Sequence, residues 1–182
     1  LDVAANEFYL PEMRAYQLDC SAKPLAVDAW IECLASWCRT YNLFSVEDPF
    51  ADDDQQAWAD FLKLCPATTK VVGDDLFVTQ SDRLQQGMDQ HLASAILIKP
   101  NQVGTVSETM QCIDLAAGAN WPYIVSHRSG DTEDSWIADF AVGMQAPLIK
   151  TGAICRSERV SKYNRLLEIQ ALHSQSTRLA QL

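Results

Sequence analysis

Six places in the chain set an ionisable side chain directly after a short apolar run, and their order is not random. Asp2, Glu47-Asp48 and Asp74-Asp75 come first, all carboxylates; Lys99, the trio His127-Arg128-Ser129, and Lys150 follow. Three carboxylates gathered from neighbouring strand ends repel one another unless a cation sits among them. All-oxygen ligands of that kind suit a hard divalent ion, Mg2+ above all, with water and substrate oxygens completing its shell. Lys99, Arg128 and Lys150 facing such an ion would line a site for a small polyanion, such as a phosphorylated acid. Arg128 with Ser129 suits phosphate, through the guanidinium fork and a hydroxyl donor. Beside a divalent ion and a second ammonium the charged form of a lysine is disfavoured, which suits Lys99 to the work of a general base.

The elements that must carry these residues alternate along the chain. Short β-like runs "LDVA", "NLFSVED", "KVVGDD", "SAILIK", "YIVSH" and "PLIKTG" each lead into a helical pattern. The first helix starts near Pro24, with Val27, Trp30, Ile31, Leu34, Trp37 and Cys38 at the spacing of one helical face. "DDQQAWADFLKL", "SDRLQQGMDQHL", "TVSETMQCIDLAA" and "TEDSWIADFAVG" follow, and a long last helix begins near Arg156. Thr105 and Glu108 have capping-box spacing. The runs are apolar throughout rather than alternating, as parallel strands buried on both faces require. Six βα units predict an α/β fold, either a doubly wound sheet or part of a (β/α)8 barrel of the TIM type. The absence of a Gly-rich dinucleotide fingerprint after any strand weighs against the first. In barrels the carboxyl ends of the strands carry catalysis, the ends at which the ionisable groups fall.

Bulk properties exclude several function classes. A net charge of −10 over 182 residues argues against a nucleic-acid grip, which needs a basic face. No apolar run reaches the roughly 18 residues of a membrane helix, and Asp2, Asn6 and Glu7 break any signal-peptide pattern, so a cytoplasmic protein is expected. Cys20, Cys33, Cys38, Cys65, Cys112 and Cys155 show no C-x-x-C spacing and read as reduced, mostly buried thiols. Taken singly, His127 or either lysine would be an ordinary loop residue. Asp48 and Asp75 read as caps or supports beside the ligands, Asp52 to Asp54 as a solvated helix start, the five tryptophans as packing, and His91 and His173 as surface residues.

Together these stretches make the chain recognisable. "LDVAANEFY", "SVEDPFADDD", "VVGDDLFVT", "LIKPNQVGT", "SHRSGDTEDSWIADFAVG" and "IKTGAICRSERVSKYNRLLEI" cover Leu1 to about Ile169 and resemble the C-terminal barrel portion of enolase, the phosphopyruvate hydratase of glycolysis. The resemblance implies the irregular enolase barrel, whose C-terminal part holds six regular βα units. It implies that Asp2, Glu47 and Asp74 hold Mg2+. Lys99 would remove the C2 proton of 2-phosphoglycerate, and Lys150 would contact the substrate carboxylate and the aci-carboxylate intermediate. Arg128 and Ser129 would hold the phosphate, with His127 near the departing hydroxyl. A homodimer is implied as well. So is chain preceding Leu1: an N-terminal domain and the first two barrel strands, with the general-acid glutamate and the serine loop. The 182 residues alone would then hold the base and metal half of a site and form little or no phosphoenolpyruvate.

Departures from the family pattern are Pro100 after the base lysine, "GMQAP" before Lys150, and an atypical helical tail over 170–182. Two other readings stand beside the enolase one: a non-catalytic enolase-like structural or binding protein, and a superfamily lyase or racemase acting on another carboxylate. The Arg128-Ser129 pair argues against the last, and six intact site residues argue against the former.

Overall fold

A computed structural model describes residues 1–19, 23–173 and Ala180. Cys20 and most of the expected tail beyond His173 lie outside the described residues. The chain divides into two compact units, one formed by residues 1–78 and 82–96, the other by residues 79–81 and 97–182.

In the first unit, a 3-10 turn at Ala5–Phe8 leads into three two-residue antiparallel strands, β1 (Tyr9–Leu10), β2 (Ala15–Tyr16) and β3 (Leu25–Ala26). Sequence periodicity gives no sign of them, because two residues cannot display a period of two. Helix α1 (Val27–Thr40) follows, three residues later than Pro24 suggested. Its predicted face is the buried one: Trp30, Ile31, Leu34 and Cys38 all lie inside. Around Trp30 the rings of Phe8 and Tyr16 pack at 5.7 and 5.9 Å, and the indole N–H donates to the Pro49 carbonyl at 2.9 Å. Burial of an aromatic side chain of this size supplies about 1.5–3 kcal/mol, and the bonded indole removes the penalty its polar edge would carry. Strand β4 (Ser45–Glu47), helix α2 (Gln55–Leu64), strand β5 (Lys70–Gly73) and helix α3 (Ser81–Asp89) then alternate. Strands β4 and β5 pair in parallel with Glu47 opposite Val72. Strand β6 (Ala95–Ile98) begins in this unit, parallel to β5, and its second half belongs to the other.

The second unit continues with the single turn α4 (Pro100–Val103), helix α5 (Val106–Gly118), strand β7 (Tyr123–Ser126), helix α6 (Trp136–Gly143), strand β8 (Leu148–Lys150) and helix α7 (Ser157–Leu172). Thr105 caps α5 as its spacing required, accepting the Glu108 N–H at 3.2 Å while its hydroxyl donates to the Glu108 carboxylate. β7 and β8 pair in parallel, Ser126 opposite Lys150. The strand order is β4-β5-β6-β7-β8. The fold is therefore α/β, a partial barrel built from parallel strands alternating with helices.

Two expectations need correction. The opening "LDVA" run is not a strand: it contributes one parallel bridge, Asp2 to Glu47, before Ala4 turns left-handed at φ 49° into the 3-10 turn. Five strands and this bridge thus stand where six strands were expected. β8 is half-exposed along its length, unlike the fully buried β6 and β7, as suits the last strand of the order. Among the five described cysteines, all free, Cys38 and Cys112 are buried and Cys155 is exposed. No helix among the described residues is long and apolar enough to cross a membrane.

Candidate active site

The first unit carries the carboxylates. The Asp2–Glu47 bridge sets these two residues side by side, tied by Val3 N–H to Glu47 O at 2.9 Å. Glu47 is registered with Val72, and Asp74 lies two positions beyond Val72, so the backbone register carries all three ligand candidates to one end of the strands. Glu47 and Asp74 are only 8% and 7% exposed. Two anions buried to that degree are costly unless a cation or donors meet them.

The turn after β5 is held by Asp48. Its carboxylate accepts the Asp74 N–H at 2.8 Å and the Asp75 N–H at 2.9 Å, one on each oxygen. Asp48 occupies left-handed backbone at φ 41°, and burial, aided by the Asp74 and Asp75 charges, pushes its carboxyl up to about 7 against the pull of those two N–H donors. Asp48 is thus a support that shapes the loop, as read from sequence. Oxygens of Asp48, Asp74 and Asp75 lie within 4.8 Å of one another, close enough to share a cation. The oxygen-only donor set and the depth of Glu47 and Asp74 fit a hard divalent ion.

The second unit carries the cations and the imidazole. Lys99 directly follows β6, and its backbone N–H donates to the Thr79 hydroxyl at 2.8 Å; that hydroxyl donates in turn to Gln102 Oε1 at 3.0 Å. Thr79 is fully buried and, like Val78, has positive φ. Left-handed backbone at two successive β-branched residues is a local strain that places one hydroxyl under the lysine. Sequence reading missed Thr79; nothing in its type or spacing distinguishes it. Pro100 after Lys99 opens α4 at the first helical position, where a missing N–H costs nothing.

His127 and Lys150 are neighbours through the β7–β8 register, with His127 N–H bonded to Lys150 O at 3.0 Å. Burial pushes the imidazole below its usual value; Asp131 opposes this, and Arg159, Lys162 and Lys150 add to the lowering. Its Nδ1 finds no hydrogen-bond partner among the described residues. Gly152, at φ +77°, sits against the same ring: a Cβ there would meet Arg159 Cδ at 2.6 Å and His127 Cε1 at 3.1 Å. Only glycine lets Arg159, unmarked in the sequence reading, close over this corner.

Arg128 and Ser129 are exposed on the loop that follows. Its acidic run turns inward on its own backbone. Asp131 accepts the Thr132 N–H at 3.0 Å and the Arg128 N–H at 3.4 Å, and Asp134 accepts the Trp136 N–H at 2.8 Å. A cavity of about 130 Å3 opens over this loop, lined among others by Asn101, Ser126, His127, Arg128 and Trp136. Trp136, 45% exposed, is therefore a cavity wall rather than core. A larger cavity of about 230 Å3 in the first unit, against α1 and α2, includes none of the candidate residues.

An α/β partial barrel, with carboxylates at the strand ends of one unit and Lys99, His127 and Lys150 at those of the other, defines a class, the parallel α/β barrel domains. The chain belongs to the family described as the enolase C-terminal TIM barrel domain, whose model matches residues 1–180. It is an enolase-superfamily domain, of a group of lyase- and isomerase-type enzymes.

Proposed function

We propose that this chain supplies the base and metal side of an enolase reaction, the reversible dehydration of 2-phosphoglycerate to phosphoenolpyruvate. The observation that carries the reading is the register of Asp2, Glu47 and Asp74 at the strand ends, within a chain matched to the enolase barrel family along nearly its whole length. Asp2, Glu47 and Asp74 would hold Mg2+, with Asp48 and Asp75 beside them. An ion held there would supply positive charge to offset the second negative charge that builds on the substrate carboxylate as the C2 proton leaves.

Lys99 takes that proton at Nζ, its backbone held by the bond from its own main-chain N–H to the Thr79 hydroxyl. Lys150 directs its ammonium at the carboxylate, so the charge is met by a group already in place. Arg128 and Ser129 grip the phosphate and give the substrate one orientation. His127, neutral at physiological pH by virtue of its lowered pKa, can donate or accept a hydrogen bond at the departing C3 hydroxyl. The acid that protonates this hydroxyl comes, on the family pattern, from chain preceding Leu1, and the working form is a cytoplasmic homodimer.

The test is phosphoenolpyruvate formation from 2-phosphoglycerate by the full-length protein. Mg2+-dependent turnover is expected, lost with chelator and in Lys99→Ala, with Asp74→Asn raising the Mg2+ requirement. The 182-residue piece alone should show little or none. A full-length protein that binds Mg2+ but never turns over would instead favour the second reading, a retired enolase-like binding protein.

A further inference from the structure

Lys162, in the second turn of α7, is completely buried, although a lysine is among the side chains least often found inside. An ammonium in such a place must be met by acceptors or it destabilises the fold. Its partners are specific. Nζ donates to the Glu158 carbonyl of its own helix at 2.6 Å and to the Thr132 carbonyl of the loop after β7. The Asp131 carboxylate lies 4.0 Å away and supplies the countercharge. That carboxylate is the one that accepts the N–H groups of Thr132 and Arg128, and the Arg128 carbonyl accepts the Asp131 N–H at 3.1 Å. A continuous path therefore leads from the buried ammonium through Asp131 and Thr132 to the backbone of Arg128.

The exposed end of this path has little to hold it otherwise. Arg128, Ser129 and Gly130 are all exposed, and among the described residues no hydrogen bond or ion pair engages the Arg128 guanidinium. An exposed arginine on an untethered loop would lose rotamer and backbone freedom each time it bound an anion. Fixing the loop from beneath removes most of that cost in advance.

We infer that Lys162 is a positioning residue, a buried cationic staple that binds α7 to the loop and presents Arg128 and Ser129 to an anionic group. It does not touch substrate; it acts through Asp131 and Thr132. The inference rests on the reading of Arg128 and Ser129 as a phosphate cradle. A lone charge on a long aliphatic stem suits the role, since it reaches carbonyls from two elements at once, while an apolar residue of equal volume would fill the space without a donor for the Thr132 carbonyl of the loop.

The experiment compares the wild-type full-length protein with Lys162→Met, Lys162→Arg, Asp131→Asn and Arg128→Ala. Inorganic phosphate affinity is measured by calorimetry, and amide hydrogen exchange is followed over residues 127–134. Lys162→Met should retain its far-ultraviolet circular dichroism, speed exchange in the loop about tenfold, and weaken phosphate binding by a similar factor. Lys162→Arg should restore part of both. Asp131→Asn opens the same path from the loop end and should show the same pair of effects; it decides the matter should Lys162→Met fail to fold. Loop exchange unchanged in the folded variants would overturn the inference, and so would faster exchange with unaltered phosphate affinity. Phosphate binding that is lost in Arg128→Ala but untouched in Lys162→Met would reject the staple alone. A wild-type protein that binds no phosphate would reject the cradle, and the inference with it.

Discussion

The two units hold their functional groups by different means. In the first, Glu47 and Asp74 are almost wholly buried, and the backbone places them: a parallel register, a bridge at Asp2, and an Asp48 carboxylate that accepts two successive N–H groups. In the second, Arg128 and Ser129 are exposed, and a chain of side-chain contacts from below governs their loop. On the proposed function, the contrast follows from what each would bind. Metal ligands need fixed distances between oxygens, which strand ends provide; a phosphate cradle needs access from solvent, which a loop provides at the cost of order. Substitutions in the acidic region should therefore lower stability and metal binding together. Substitutions at the tip of the loop should lower binding alone.

The largest expected effect breaks the chemistry without breaking either region. Lys99→Ala should reduce turnover of the full-length protein on the order of 10²–10⁴-fold, the usual contribution of a general base. Its thermal unfolding should remain near the wild-type midpoint. Next, Trp30→Ala removes the ring at the centre of the first unit's aromatic cluster and orphans the Pro49 carbonyl; destabilisation of about 3–5 kcal/mol is expected from chemical denaturation. Arg128→Ala should weaken phosphate binding roughly 10–100-fold, the worth of one or two charge-assisted bonds, and leave the unfolding midpoint in place. An Arg128→Ala protein that unfolds markedly earlier would erase the distinction between the regions.

Asp48→Asn sharpens the comparison from the other side. An amide offers one oxygen where the carboxylate offers two, so the Asp74 or Asp75 N–H loses its acceptor, at about 1–3 kcal/mol of stability. The smallest effect concerns pH. The folded pKa of His127 lies below its unfolded value, so the unfolded chain binds more protons as the pH falls through the ordinary imidazole range. The His127 contribution should accordingly make the fold less stable as the pH falls below about 6.5, the raised Asp48 carboxyl acts in the opposite sense over the same range, and comparing His127→Gln with the wild type isolates the histidine's share.

Much of this arrangement is legible in the sequence because it follows from local pattern. Each apolar run of β5 to β8 ends where its ionisable residue begins, and the capping pair Thr105–Glu108 behaves as its spacing requires. The features that escape sequence reading depend on tertiary placement. Two-residue strands such as Ala15–Tyr16 are too short to carry a period, and "LDVA" resembles a strand until Ala4 turns left-handed. Thr79 acquires its role from strained backbone at Val78 and Thr79, where β-branched residues give no warning of positive φ. Lys162 looks like any lysine of an amphipathic helix, and only burial reveals it.

Proton removal by Lys99, in the presence of metal held by the acidic region, is the step on which the proposed function depends. Hydrogen exchange at C2 of 2-phosphoglycerate in deuterated solvent reads that single step, independently of whether water departs. With the full-length protein, Mg2+-dependent exchange is expected that disappears in Lys99→Ala and survives in Lys162→Arg. Exchange at the wild-type rate in Lys99→Ala, or in the wild type after Mg2+ is chelated, would contradict the proposed function.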